Sequence, residues 1–157
     1  MIMPQWPESN MSKRIKTTKR PTKAELPEKW LLVDATDQVL GRLASKIAKI
    51  LVGKASATYD PSVVNPTKVV VINMAKIKLT GNKLSQKTYY RHSGYMGGLK
   101  TETLERIMAD KPEEALTRAV SRMLPKNSLR KIRLDNLKVY ADENHRHIPQ
   151  NPTKIEL

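Results

Sequence analysis

The sequence predicts an α/β domain with a mainly parallel sheet covered by helices. Three observations predict it. Short apolar runs with strand character recur at WLLVD (30–34), at KVVVIN (68–73) and at LKVYA from Leu137. Segments of helical period lie between them. The order strand, helix, strand, basic insertion, two helices, strand is the alternation of crossover-connected parallel strands. At 157 residues the chain is long enough for one real core. Residues 1–29 read as an N-terminal extension, 30–140 as the α/β domain and 141–157 as a polar surface tail.

The extension holds Pro4, Pro7, Pro21 and Pro27, and its apolar residues have no period, so it reads as irregular. Five cations lie between Lys13 and Arg20. They suit a basic arm laid along RNA. A solvated tail and a cleaved transit peptide are the alternative readings, and Met11 is a second candidate start. No secretory signal is visible, because the N-terminus lacks an apolar h-region.

Trp30–Asp34 suits a buried strand. Thr36 and Asp37 offer a turn and a cap. Leu40, Leu43, Ala44, Ile47, Ala48 and Leu51 then follow the i, i+3, i+4, i+7 spacing of a helix with one buried face. Gly53 stands where a C-cap glycine belongs. Arg42, Ser45, Lys46 and Lys49 form the outer stripe, with Arg42 the favoured RNA contact beside Gly41. Residues 54–67 read as loop. Val69 to Ile72 are β-branched throughout, as in a central strand covered on both faces. Ile77 and Leu79 alternate with polar residues, as in a short half-exposed strand. Thr101 is the expected cap of a helix containing Leu104, Ile107 and Met108. Asp110 and Pro112 open the next helix, whose stripe is Leu116, Ala119, Val120 and Met123; Pro125 ends it. SLRKIRL reads as a short basic helix or turn.

Charge narrows the function. Twenty-nine Lys and Arg against fifteen Asp and Glu give a net charge of +14. Such an excess favours a polyanion partner, nucleic acid before an anionic membrane surface. A merely soluble basic surface is the bland alternative. The charge is uneven: residues 61–100 carry seven cations and no acid, and residues 121–140 carry six cations and one acid. Residues 101–120 between them carry three cations and five acids. There is no cysteine, which excludes disulfides and thiolate metal sites. No apolar run approaches membrane-spanning length.

The stretch Lys83–Lys100, KLSQKTYYRHSGYMGGLK, is the centre of this pattern. Lys83, Lys87, Arg91 and Lys100 supply charge for phosphates. Tyr89, Tyr90 and Tyr95 are flat rings for stacking, with Tyr95 the favoured exposed one. Gly94, Gly97 and Gly98 allow close approach, and His92 and Ser93 offer hydrogen bonds to phosphate or 2′-hydroxyl. Lys87–Arg91 reads as extended and Ser93–Gly98 as loop. Lys126, Asn127, Arg130, Lys131 and Arg133 form a second basic cluster.

Other chemistry is weaker. HSGYMGG lacks the strand-to-helix context and spacing of nucleotide-binding glycine motifs. Ser93 has His92 only as a sequence neighbour, which is not triad geometry. His145 and His147 make a thin metal set and read as exposed tail histidines. Met108 and Met123 read as core.

Taken together, WLLVDATDQVLGRLASKIAKILVGK, VVVIN, KIKLTGNK, YYRHSGYMGGLK, MLPKN and LKVYA resemble, in order and spacing, the large-subunit ribosomal protein thirteen family, most closely its bacterial type. The resemblance covers about residues 29–157. It implies a three-layer α/β/α fold with a central sheet of about four strands. It also implies a non-enzymatic, structural role that includes binding large-subunit ribosomal RNA early in assembly. No cofactor, metal, membrane or small-molecule substrate is implied; neighbouring ribosomal proteins are. The positions that match the family's motifs are Arg91, His92, Ser93, Gly94, Tyr95, Gly97, Gly98, Leu99 and Lys100, with Met123, Leu124, Pro125, Lys126 and Asn127. The implied location is the cytoplasmic ribosome, with an organellar ribosome as the alternative. The chain departs from the family at Met96, where proline is usual, at Ala55–Thr58, at Pro66-Thr67, at Arg130 and across 141–147.

Overall fold

Val69, Val70, Val71 and Ile72 are all buried, and the strand they form lies inside a four-stranded sheet. The structure, a computed structural model, describes residues 20–22 and 26–157. Lys13, Arg14, Lys16 and Lys19 of the expected basic arm lie outside the described residues.

The element order is β1 (Trp30–Asp34), α1 (Leu40–Val52), β2 (Lys68–Ile72), α2 (Lys83–Gln86), β3 (Thr88–His92), β4 (Leu99–Thr103), α3 (Leu104–Asp110), α4 (Pro112–Met123), α5 (Leu129–Asp135), β5 (Leu137–Val139) and β6 (Thr153–Ile155). The central sheet runs β5-β2-β1-β6, and all three pairings are parallel. With its helices it matches the expected α/β/α class. β3 and β4 form a separate antiparallel hairpin.

Alternation along the strands separates the two faces of the sheet. Val33, Val69, Val71 and Leu137 join the main core with the buried face of α1 and with Leu116 and Val120 of α4. All six helix-periodic residues expected in α1 are buried, together with Val52. Each large aliphatic side chain so buried contributes roughly 1.5–3 kcal/mol. Gly53 closes α1 in the left-handed region at φ 88° and donates to the carbonyls of Ile50 and Lys49.

Several local expectations give way. The polar C-terminal segment is part of the domain: Thr153–Ile155 add β6 beside Leu31–Val33, and Ile155 and Leu157 pack on the core. Ile77–Leu79 is no strand, because Asn73 at φ 58° and a 3₁₀ turn at Met74–Lys76 redirect the chain. Only a single bridge, Val39 to Lys78, remains there. The cap of α3 is Thr103, whose hydroxyl accepts from the Arg106 N–H, while Thr101 belongs to β4. Met123 is exposed at the end of α4, so only Met108 of that pair packs against the core.

Candidate nucleic-acid interface

The basic stretch folds as a short helix and a hairpin. α2 carries Lys83, β3 carries Arg91 and His92, and β4 carries Lys100. The register pairs Tyr89 with Glu102, Arg91 with Lys100 and His92 with Leu99. Arg91 and Lys100 are therefore cross-strand neighbours of like charge, an arrangement that costs stability. Both are exposed, and among the described residues neither has an acidic partner.

The turn is built by glycine. Gly94 and Gly97 adopt φ 93° and 72°, which other residues adopt only with strain. At Gly98 a Cβ would stand 2.0 Å from Ser93 Oγ and 2.9 Å from the Tyr95 carbonyl oxygen. Ser93 N–H donates to the Gly98 carbonyl and Gly98 N–H to that of Tyr95. The Gly94 N–H donates to His92 Nδ1 at 3.0 Å, which leaves Nε2 as the other hydrogen-bonding position of the ring. At the tip Tyr95 is 80% exposed and Met96 fully exposed, so the ring expected to be free is free. The loop joins two antiparallel strands rather than a strand to a helix, unlike a phosphate cradle of the nucleotide-binding type.

The base of the hairpin is anchored through Tyr89. Its ring is 4% exposed and packs with Leu104, Ile107 and Ala115. Arg118, Arg122 and Lys87 lie over it at 5.1, 5.4 and 5.4 Å. Arg118 is held by Glu114 at 2.7 Å and Glu102 at 3.1 Å, so it bridges α4 to the hairpin. Burial pushes the Tyr89 hydroxyl above its ordinary pKa, against the pull of Arg122 and Arg118, and among the described residues that hydroxyl has no hydrogen-bond partner.

The second zone follows α4. Lys126, Asn127 and Lys131 are exposed and Arg130 is half-buried. Arg133, expected to contact RNA, is instead 1% exposed. Its Nη2 donates to the Pro61 carbonyl at 3.2 Å, tying the 54–67 loop to α5. Asn136 reinforces the tie by donating to the Asn65 carbonyl. A buried guanidinium holding a loop cannot reach a phosphate, so Arg133 is a scaffold residue.

Arg42 is exposed on the first turn of α1, on the outer stripe with Ser45, Lys46 and Lys49. Lys78 and Arg122 were not singled out by sequence, yet they line a groove shared with Lys83 and Lys87. Arg122 looks like one more cation on an amphipathic helix until the packing of α4 on Tyr89 is known.

His145 and His147 are not free tail residues. The His147 ring lies 4.9 Å from that of Trp30 and 6.0 Å from that of Tyr140, and His145 lies 6.2 Å from Tyr140. Burial lowers the His147 pKa, helped by Lys138, His145 and Lys68, while a hydrogen bond with Gln150 opposes the shift.

Comparison with known proteins agrees with the earlier resemblance. The family model described as ribosomal protein L13 matches residues 28–146. The large ribosomal subunit protein uL13 of Desulfovibrio desulfuricans is 52% identical over 137 residues, covering 87% of this chain and 95% of its own. The protein of the same name from Geobacter sulfurreducens is 48% identical over 143 residues, covering 91% of this chain and all of its own. That from Thermotoga petrophila is 50% identical over 133 residues, covering 85% and 89%. On the combined weight of these matches, the chain belongs to the ribosomal protein L13 family.

Proposed function

We propose that this chain is a non-enzymatic structural constituent of the large ribosomal subunit, acting in translation on the cytoplasmic ribosome. It binds large-subunit ribosomal RNA, assists early subunit assembly and packs beside neighbouring ribosomal proteins. It needs no cofactor and no small-molecule substrate. Membership of the family supports the subunit. The opposed Arg91–Lys100 pair, exposed on the hairpin and without an acidic partner among the described residues, carries the RNA reading, since a polyanion turns that repulsion into attraction. Lys83, Lys87, Lys126, Arg130 and Lys131 add phosphate contacts. Tyr95 stacks, and Arg42, His92, Ser93, Gly94, Gly97, Gly98 and Asn127 make local contacts.

Filter binding of purified large-subunit ribosomal RNA across a salt series tests this. The plot of log K against log salt is expected to fall by about 0.7–0.9 per phosphate contacted. A flat plot, or equal affinity for duplex DNA competitor, would overturn the reading.

A further inference from the structure

Between the hairpin base and the start of α1 lies a groove of about 190 Å³. Leu79 and Met123 contribute its apolar surface, above the buried Leu104. Lys78, Lys83, Lys87 and Arg122 also line it, and among the described residues no Asp or Glu does. Lys83 donates to Thr80 Oγ1, and Lys87 and Arg122 lie over the Tyr89 ring, but among the described residues none of the four has an acidic partner.

Size and charge define the occupant. Pockets for drug-sized molecules span roughly 300–1,000 Å³, so this groove suits one flat ring system. Apolar surface beside cations fits a body that is flat and apolar with an anionic edge. An apolar peptide would leave four cations unmatched. Gly41 forms part of the wall, and a Cβ there would meet nothing within 4 Å, so the α1 backbone is open to close approach. α1 has neither a side-chain cap nor an acidic residue in its first turn, although its Leu40 N–H donates to the Lys78 carbonyl.

Resting on the RNA reading above, we propose that this groove receives one unstacked nucleotide of the ribosomal RNA. Its base lies on Leu79 and Met123, and its flanking phosphates are held by Lys78, Lys83, Lys87 and Arg122. Sequence-specific RNA recognition takes bases that are splayed out of a helix, and a base-sized recess beside phosphate contacts is one place to receive them. The hairpin tip alone offers no recess. The groove would add a site for one splayed base to a surface that otherwise reads charge and shape.

Gly41→Leu tests this, because it fills the groove, removes no cation and replaces glycine by a better helix former. Its thermal midpoint is expected to match or exceed that of the parent. Its affinity for large-subunit ribosomal RNA is expected to fall roughly tenfold, as for loss of one stacked base. The slope of log K against log salt stays unchanged, since no phosphate contact is lost. As a second arm, AMP and UMP should shift the Gly41 amide and the Met123 methyl in NMR spectra, and by clearly more than ribose 5-phosphate, which offers the phosphate without the base. Parental affinity in the folded variant would overturn the proposal, as would equal shifts with ribose 5-phosphate. So would a variant that keeps RNA affinity but loses co-sedimentation with subunits, because the occupant would then be a protein. Failure of the parent chain to bind ribosomal RNA would instead overturn the RNA reading itself.

Discussion

Arg91 and Lys100 face each other directly across the exposed hairpin, cation to cation, with no acid between them. Such a pair lowers the stability of the free protein and raises its attraction for a polyanion. Arg91→Ala should therefore raise or leave unchanged the thermal midpoint, by at most the ~0.2–1 kcal/mol of one cross-strand pair. The same change should weaken ribosomal RNA binding and flatten the salt dependence by about 0.7–0.9. Calorimetry of the free protein and filter binding check the two halves. A midpoint lowered by several degrees would make Arg91 a structural residue.

Arg133 predicts the opposite behaviour. Arg133→Ala empties a buried site and leaves the Pro61 carbonyl without its donor, at a cost of about 2–4 kcal/mol. Arg133→Met keeps most of the volume and removes the unpartnered Nε, so it should cost less. Urea unfolding measures both. Ribosomal RNA affinity of the folded fraction should match the parent in each.

Tyr89 separates ring from hydroxyl. Its hydroxyl is buried without a partner, so Tyr89→Phe should be neutral or slightly stabilising. Tyr89→Ala should cost roughly 3–5 kcal/mol and release the hairpin from α3 and α4. Equal losses in the two variants, measured by denaturant unfolding, would show that the hydroxyl has a role the packing does not reveal.

His147 makes the C-terminal segment sensitive to acid. Its folded pKa lies below the ordinary histidine value of about 6.5, chiefly through burial, so the unfolded chain binds the extra proton first. The His147 contribution to stability is therefore complete above about pH 6.5 and declines as the pH falls from there through the lowered folded value. His147→Phe should keep the ring contact with Trp30 and flatten the fall in thermal midpoint between about pH 7 and pH 5. An unchanged pH profile would assign the titration to another group.

Much of this protein is legible locally. The α1 face is a period repeated over thirteen residues, and the Val69–Ile72 run needs burial on both sides wherever it goes. Charge and glycine content located the exposed loop, and Tyr95 at its tip, because an acid-free segment with three glycines is poor material for a core. The hairpin pairing was half legible: Lys87–Arg91 reads as extended, but Leu99–Thr103 becomes a strand only by pairing with it.

The remaining features depend on partners far along the chain. Thr153–Ile155 has no strand-like run and is a strand because the edge of β1 beside it lacks a neighbour. Arg133 has the same charge as Arg130 and Lys131, yet it is buried because a loop 72 residues earlier folds over it. Lys78, Lys83, Lys87 and Arg122 become one group only when α4 lies against the hairpin base. Composition and period, which are properties of single segments, determined the fold class, the helices and the basic stretch. Tertiary structure decided which cations face solvent and which serve the scaffold, because burial depends on what packs against a residue.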